Sequence, residues 1–155
     1  MSDTITNRLA ELGITLPDAP APAANYIPFV KTGNLVFISG QVPLVNGAIE
    51  LTGKVGDTVT IEQAQQQARI CAINILAQAK VAAEGDLSKI KRIVKLGGFV
   101  ACRDDFTSQP EVINGASDLM ADIFGEAGQH ARFAVGTNAL PRGVVVEIDA
   151  VIELH

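Results

Sequence analysis

The sequence predicts an α+β protein in which two helices cover one face of a mixed β-sheet. Two long segments, 61–84 and 110–124, repeat apolar residues with the 3.6-residue period of amphipathic helices. Short runs rich in apolar and β-branched residues precede, separate and follow them, and the even positions 144–154 near the C-terminus are all apolar. These three observations give the element order ββ-α-β-α-ββ, with the apolar faces directed at one core.

The N-terminal region predicts a helix followed by an extended arm. Ile5, Leu9 and Leu12 recur at helical spacing within residues 3–12. Three prolines among alanines follow, and each fixes its own φ and disfavours helix in the residue before it. With 155 residues, the chain has the usual size of one domain. We therefore expect a single domain over 1–155, made of the helix and arm (1–23) and a core (24–155).

The first predicted strands are 27–31 and 35–39, joined by a turn that contains Gly33-Asn34. Residues 35–38 are apolar without alternation, which predicts a strand buried on both faces, the second face being covered by another subunit. A further short strand is expected near 42–44.

The helices and the third strand have clear boundary signals. Thr60 and Gln63 form a capping-box pattern that opens the first long helix, and Gly85 is a natural stop. The third strand is expected over 90–101, where Gly97 and Gly98 suggest a bulge or a close approach of backbone or ligand. The second long helix is expected over 110–124.

The C-terminal region carries the charged residues of most interest. On the last strand the even positions 144–154 are apolar, whereas Glu147 and Asp149 lie on the other face. Arg132 opens the preceding strand, so a closing hairpin would bring a guanidinium and a carboxylate into one small site. Arginine binds carboxylates through two parallel hydrogen bonds, which suits a small acidic substrate. The alternative is a structural ion pair at a sheet edge.

Composition restricts the classes of function. The net charge is −5 and the 12 Lys and Arg residues are scattered, which argues against a nucleic-acid ligand. Cys71 and Cys102 have no CxxC spacing, so we expect buried free thiols, no metal site and no cofactor. No apolar run reaches 18 residues, and the N-terminus lacks the features of a signal peptide. We expect a cytoplasmic protein with no membrane partner.

The pattern Arg-x-x-Val-Gly-x-x-x-Leu-Pro-x-x-x-x-Val-Glu-Ile-Asp-Ala, from Arg132 to Ala150, resembles the C-terminal signature of the RidA/YjgF family. These proteins are reactive enamine/imine deaminases, and an older label for the family is L-PSP endoribonuclease. The resemblance covers residues 24–154 and includes the segments 33–41 and 93–106. It implies a fold similar to the small chorismate mutases, assembled as a homotrimer with ligand clefts between subunits.

The resemblance also implies roles for five residues. Arg132 matches the arginine that binds the substrate carboxylate, and Glu147 matches the acidic residue that positions the attacking water. Tyr26 and Gly40 match contacts near the substrate, and Asn114 falls near a pocket asparagine. From the residues alone, Tyr26 could instead be a core ring, Gly40 a turn residue and Asn114 a helix cap.

The chain departs from the better-known deaminases at several positions. Ala134 stands where a cysteine is frequent, and Ala24-Asn25 replaces a Gly-Pro pair. The loop after Phe106 is longer, and the N-terminal helix and arm are additional. These features are typical of a longer subfamily of about 150 residues.

The function implied by the resemblance is hydrolysis of 2-aminoacrylate-type enamines or imines to 2-keto acids and ammonia. Arg132 would orient the carboxylate of the substrate, and Glu147 would hold a water molecule against the imine carbon. One alternative is a non-catalytic binder of keto or amino acids. A second is an endoribonuclease or translation inhibitor, which no histidine pair or basic stripe supports.

Overall fold

The computed structural model describes residues 4–22 and 24–155. Within them lie three α-helices and seven β-strands. The helices are α1 (Thr4–Glu11), α2 (Ile61–Ala82) and α3 (Gln109–Phe124). The strands are β1 (Phe29–Thr32), β2 (Leu35–Gln41), β3 (Leu44–Val45), β4 (Ala48–Ile49), β5 (Ile90–Ala101), β6 (Ala131–Thr137) and β7 (Val146–Leu154). The expected N-terminal helix and arm extend onto residues 3 and 23, which lie outside the described residues.

Five strands form one sheet in the order β1-β2-β7-β5-β6, and β3 and β4 form a separate small hairpin. All neighbouring pairs in the main sheet are antiparallel except β5 and β6, which are parallel. Helices α2 and α3 pack against each other and against one face of this sheet. The predicted α+β class and helix arrangement are confirmed.

The capping box at the start of α2 forms as predicted. The backbone N–H of Gln63 donates to Thr60 Oγ1 at 3.2 Å, and the backbone N–H of Thr60 donates to Gln63 Oε1 at 2.9 Å. These bonds satisfy two of the donors that a helix N-terminus leaves unpaired. The helix ends before Gly85, whose φ of +85° glycine adopts without steric cost.

The predicted closing hairpin is wrong. Among the described strands, β6 lies at the sheet edge and pairs only with β5, whereas β7 lies between β2 and β5. The connection between β6 and β7 crosses the end of β5, where the Ala101 N–H donates to the Val145 carbonyl at 2.8 Å. The apolar even face of β7 explains this position, because a central strand buries Val146, Ile148, Ala150 and Ile152 beneath α2.

The expectation that residues 35–38 are buried on both faces is also wrong for the single chain. Val36 and Ile38 are buried beneath α2, but Phe37 is 45% exposed on the opposite face. Phe99 on β5 and Val135 on β6 lie on the same face and are 40% and 42% exposed. This face, which we call the open face, therefore carries aromatic and aliphatic side chains that no other layer of residues 4–22 and 24–155 covers.

Gly97 and Gly98 mark close approach rather than a bulge, since the register shifts of β5 lie earlier, between Ile90 and Lys95. A Cβ at Gly97 would collide with the ring of Phe133, and a Cβ at Gly98 would collide with Ile113 of α3. Both glycines therefore let neighbouring elements pack directly on the backbone of β5.

Cys71 and Cys102 are both buried and free of disulfides, as predicted. Over residues 4–22 and 24–155, no helix is both long and apolar enough to cross a membrane.

A substitution at Gly115 tests the close packing of α2 and α3. A Cβ there would overlap the backbone carbonyl of Gln65 on α2. We expect Gly115→Ala to lower the free energy of unfolding by about 1–3 kcal/mol, because two rigid backbones must separate. Urea unfolding measures this change, with Asp118→Ala on the exposed side of the same helix as control. In an open helix position, Gly→Ala would instead stabilise by up to about 1 kcal/mol, which would contradict the packing described here.

Candidate active site

The five residues singled out in the sequence lie in two separate clusters. Tyr26, Gly40 and Glu147 line one cleft, and Arg132 contacts Asn114 at the edge of the sheet. We refer to these as the Glu147 cleft and the Arg132 cluster.

The Glu147 cleft has a volume of about 490 Å³, within the range of small-molecule sites. Its walls come from the N-terminal arm, the end of β2 and the start of β3, α2, and the connection that precedes β7. The lining residues are Pro20, Ala21, Pro22, Ala24, Tyr26, Pro28, Gly40, Gln41, Val42, Leu44, Gln78, Pro141, Arg142 and Glu147. Glu147 is the carboxylate among them, and Arg142 is the cation.

Gly40 allows the Glu147 carboxylate to lie directly on the backbone of β2. The pairing of β2 with β7 shifts register between Ile38 and Gln41, so Gly40 lies in an irregular part of the ladder. A Cβ at Gly40 would overlap Glu147 Oε2. Gly40 is therefore more than a turn residue, because any side chain there would displace the carboxylate.

The surroundings of the Glu147 side chain disfavour its ionised form. Its partial burial, and then the negative charge of Asp149 on the same face of β7, raise the pKa of Glu147. No basic side chain forms an ion pair with it in the part of the chain that the structure describes. Burial also raises the pKa of the Cys71 thiol, with Glu147 adding to the effect, so this thiol is not nucleophilic.

The N-terminal arm is fixed over the cleft by a buried glutamine. Gln78 of α2 is 1% exposed, and its side-chain amide donates to the Pro20 carbonyl at 2.7 Å. Leu12, Ile14 and Leu16 also pack on the core. The arm is thus a wall of the cleft, and it makes that wall apolar. Tyr26 is 46% exposed at the cleft, so it is not a core ring.

The Arg132 cluster lies between β6 and α3. Arg132 Nη1 donates to Asn114 Oδ1 at 2.8 Å and to Ser117 Oγ at 3.1 Å. Its Nε and Nη2 make no hydrogen bond within residues 4–22 and 24–155, which leaves one edge of the guanidinium available for bidentate carboxylate binding. Asn114 lies within α3, whose N-cap is Ser108, so Asn114 does not cap the helix.

Arg132 and Glu147 do not converge within one chain, contrary to the expectation from the sequence. Arg132 is in register with Leu96, which is buried beneath the helices. Glu147 is in register with Phe99, whose side chain lies on the open face. The two side chains therefore lie on opposite faces of the sheet, on strands separated by β5.

Three residues with a place in these clusters were not identified from the sequence. Arg142 lines the Glu147 cleft with a φ of +58°, an uncommon conformation for a residue other than glycine. Ser117 and His130 contact each other beside Arg132. A glycine after Arg142 and the helical spacing of Asn114 and Ser117 were the only signals available. Across the described residues, no group of three or more His, Cys, Asp or Glu side chains is arranged to hold a metal ion.

Comparisons with known proteins identify the family. Residues 6–154 match the family model described as "YjgF/chorismate_mutase-like, putative endoribonuclease". The chain is 45% identical to Protein TCP17 of Trypanosoma cruzi, over 99% of this chain and 96% of that one. It is 29% identical to the 2-iminobutanoate/2-iminopropanoate deaminase of Dermatophagoides farinae, over 92% of this chain and 95% of that one. The chain belongs to the YjgF/RidA family.

Solved structures show the same fold. The protein Atu1372 of Agrobacterium tumefaciens, of unknown function, superimposes with a TM-score of 0.92 at 54% identity, covering 99% of this chain and 94% of that one. Escherichia coli TdcF with bound serine superimposes with a TM-score of 0.64 at 26% identity, covering 88% of this chain and 94% of that one. The expected YjgF/chorismate mutase-like fold is confirmed.

The raised pKa of Glu147 predicts a pH-dependent effect of Glu147→Gln on stability. A carboxyl group whose pKa is higher in the folded than in the unfolded state favours folding at low pH and loses that contribution as pH rises through the folded pKa. Glutamine does not titrate. The variant should therefore be more stable than wild type at pH 8, and this gain should shrink near pH 4, around the ordinary glutamate pKa of about 4.3.

Urea-unfolding midpoints at the two pH values measure this difference, with exposed Glu50→Gln as the control. An equal gain at both pH values would contradict the assigned environment of Glu147.

Proposed function

We infer that this protein hydrolyses small 2-imino or 2-enamine carboxylates to 2-keto acids and ammonia. The observation that carries the proposal is the Glu147 carboxylate, partly buried in a cleft of ligand size and raised in pKa. A carboxyl group with a raised pKa is a stronger proton acceptor than an ordinary glutamate when ionised, which suits it to general acid–base catalysis.

Arg132 supplies the second requirement, recognition of the substrate carboxylate. Asn114 and Ser117 hold its Nη1, so the Nε–Nη2 edge has a fixed direction before the substrate arrives. Such preorganisation reduces the entropy lost on binding. A charged hydrogen bond of this kind contributes about 1.5–3 kcal/mol.

The reaction proceeds through a series of proton transfers on Glu147. Glu147 accepts a proton from a water molecule as its oxygen bonds to the iminium carbon, giving a carbinolamine. Glu147 then returns this proton to the nitrogen, and the carbon–nitrogen bond breaks. The hydroxyl proton passes through Glu147 to the departing ammonia, so ammonium leaves and a carbonyl remains at the former imine carbon. Water and imine are consumed in equal amounts, Glu147 ends in its starting state, and no metal or redox cofactor is required.

The cleft favours substrates with short aliphatic side chains. Proline and alanine side chains of the arm form its wall, so a small apolar group would be desolvated there while the charged groups face Glu147 and an arginine. This agrees with the name of the Dermatophagoides farinae relative, 2-iminobutanoate/2-iminopropanoate deaminase.

A complete site requires more than one copy of the chain, because Arg132 and Glu147 lie on opposite faces. A contact that joins the Arg132 cluster of one copy to the Glu147 cleft of the next is heterologous, and such a contact closes into a ring when the rotation between copies allows it. The apolar side chains on the open face, including Phe37 and Phe99, would be covered in such a ring. We propose that the functional form is a homotrimer, as the family resemblance implies.

Arg132→Ala is expected to lower kcat/KM for imine hydrolysis by about 10–100-fold, in proportion to the lost charged hydrogen bonds. An amino-acid oxidase would generate imines in place, and semicarbazide would trap those that remain. Glu147→Gln is expected to lower kcat by roughly 100-fold or more while retaining carboxylate binding.

Arg103→Ala is the matched control, since Arg103 is an exposed arginine that pairs with Asp105 away from both clusters. If Arg132→Ala removed imines at the same rate as the folded wild type, the deaminase assignment would be wrong.

Mixing two inactive variants tests whether the site is shared. In an equal, fully exchanged mixture of Arg132→Ala and Glu147→Gln chains, about a quarter of the inter-subunit sites contain both native residues. We expect recovery of about a quarter of wild-type activity in the mixture. The control is wild type mixed equally with the Arg132→Ala/Glu147→Gln double variant, and native mass spectrometry would confirm exchange. Exchange without recovery would show that the two residues do not act across subunits.

A non-catalytic binding role is the second candidate, and the bound serine in the TdcF structure is the observation that favours it. In that case Arg132→Ala would abolish binding of a 2-keto acid in calorimetry, and neither wild type nor Glu147→Gln would turn over imines. The endoribonuclease label of the family gains no support from this chain, whose net charge is −5.

A further inference from the structure

A short chain of hydrogen bonds links Arg132 to a histidine that the proposed mechanism does not use. His130 lies two residues before Arg132, and its Nε2 is 2.8 Å from Ser117 Oγ. Ser117 in turn accepts the hydrogen bond from Arg132 Nη1 at 3.1 Å. All three side chains are partly buried between α3 and the edge strand β6.

The donor and acceptor of each hydrogen bond in this series follow from the bond between His130 and Gly128. His130 Nδ1 is 2.6 Å from the Gly128 carbonyl oxygen, which can only accept a hydrogen bond. Nδ1 therefore carries a proton, and in the neutral ring Nε2 is left as an acceptor. The Ser117 hydroxyl then donates to Nε2, which directs its oxygen lone pairs towards Arg132.

The Gly128 carbonyl is itself fixed by packing. A Cβ at residue 128 would overlap the backbone carbonyl of Met120 on α3, so only glycine allows this approach. In the same turn, the Arg92 guanidinium donates to the Gln129 carbonyl at 2.8 Å. The histidine is thus bonded to a part of the backbone that has little freedom to move.

We propose that His130 and Ser117 are positioning residues that hold Arg132 Nη1 and so direct its Nε–Nη2 edge at the substrate carboxylate. Ser117 alone could rotate its hydroxyl and donate to another acceptor. Because the Ser117 hydroxyl donates its proton to His130, the serine oxygen faces the guanidinium as an acceptor. The consequence for catalysis rests on the proposed function, whereas the hydrogen-bond chain does not.

The series of hydrogen bonds from Arg132 to His130 can be tested without any substrate. The protein contains two histidines, His130 and His155, so the imidazole nitrogens are resolvable by ¹⁵N NMR. We expect the neutral His130 ring to be the Nδ1–H tautomer. Ser117→Ala should shift its Nε2 resonance strongly, Arg132→Ala should shift it through the serine, and His155 should be unaffected. An Nε2–H tautomer, or a His130 signal insensitive to Ser117→Ala, would overturn the proposal.

The functional consequence is tested by separating KM from kcat. Binding of the carboxylate contributes equally to the ground and transition states, so Ser117→Ala should raise KM for the imine roughly 10-fold and change kcat by less than about 2-fold. Ser117→Thr, which keeps the hydroxyl, should restore most of the affinity. Asp118→Ala, at the next position of α3, is the control and should behave as wild type.

Calorimetry with 2-oxobutanoate distinguishes failure of this inference from failure of the proposed function. If wild type binds and Ser117→Ala binds equally well, the positioning role is wrong and the deaminase site is unaffected. If wild type neither binds 2-oxobutanoate nor hydrolyses imines, the proposed function is wrong. The NMR result alone then decides whether the hydrogen-bond chain exists.

Discussion

The position of β7 at the centre of the sheet determines the rest of the structure. Its even side chains from Val146 to Ile152 are buried beneath α2, so alternation along the strand directs Glu147 and Asp149 to the opposite face. Placing β7 between β2 and β5 brings Glu147 against Gly40 and moves β6 to the sheet edge. Arg132, on the helix side of that edge strand, is then separated from Glu147 by the sheet itself. The division of the polar residues into two clusters is therefore a consequence of burying one apolar strand face.

The sequence predicts the elements of this fold well, because their signals are local. The capping box of Thr60 and Gln63 marks the true start of α2, and the apolar third strand has the expected bounds, Ile90–Ala101. Strand neighbours are different, since they depend on contacts between residues distant in the chain. The segment Pro141-Arg142-Gly143 has the composition of a hairpin turn, yet it carries the chain across β5. Composition can indicate a turn, but it does not specify which strand the following segment pairs with.

The same limit applies to the polar residues. Arg132 and Glu147 could be singled out because charged residues interrupt apolar strands and match a family pattern, but spacing along the chain does not report the face on which each side chain lies. Ser117 and His130 meet only because α3 connects two parallel strands and packs back over β6. No periodicity in the sequence marks that contact. Arg142 is similar, since its place in the Glu147 cleft depends on the crossing connection that the hairpin interpretation misses.

A site divided between opposite faces has a consequence for the proposed reaction. A 2-iminium carboxylate carries its two charges on adjacent carbons, so an arginine at one side and a glutamate at the other would hold the reacting carbon between them. Burial and the Asp149 charge raise the pKa of Glu147. The positive charge of a bound iminium would oppose both effects, and would therefore favour the ionised carboxylate at the stage when it must accept a proton. Once ammonia has left, the keto acid retains only the group that arginine recognises and no longer attracts Glu147. The electrostatic contribution to binding is thus greater for the substrate than for the product, which favours product release without a conformational change.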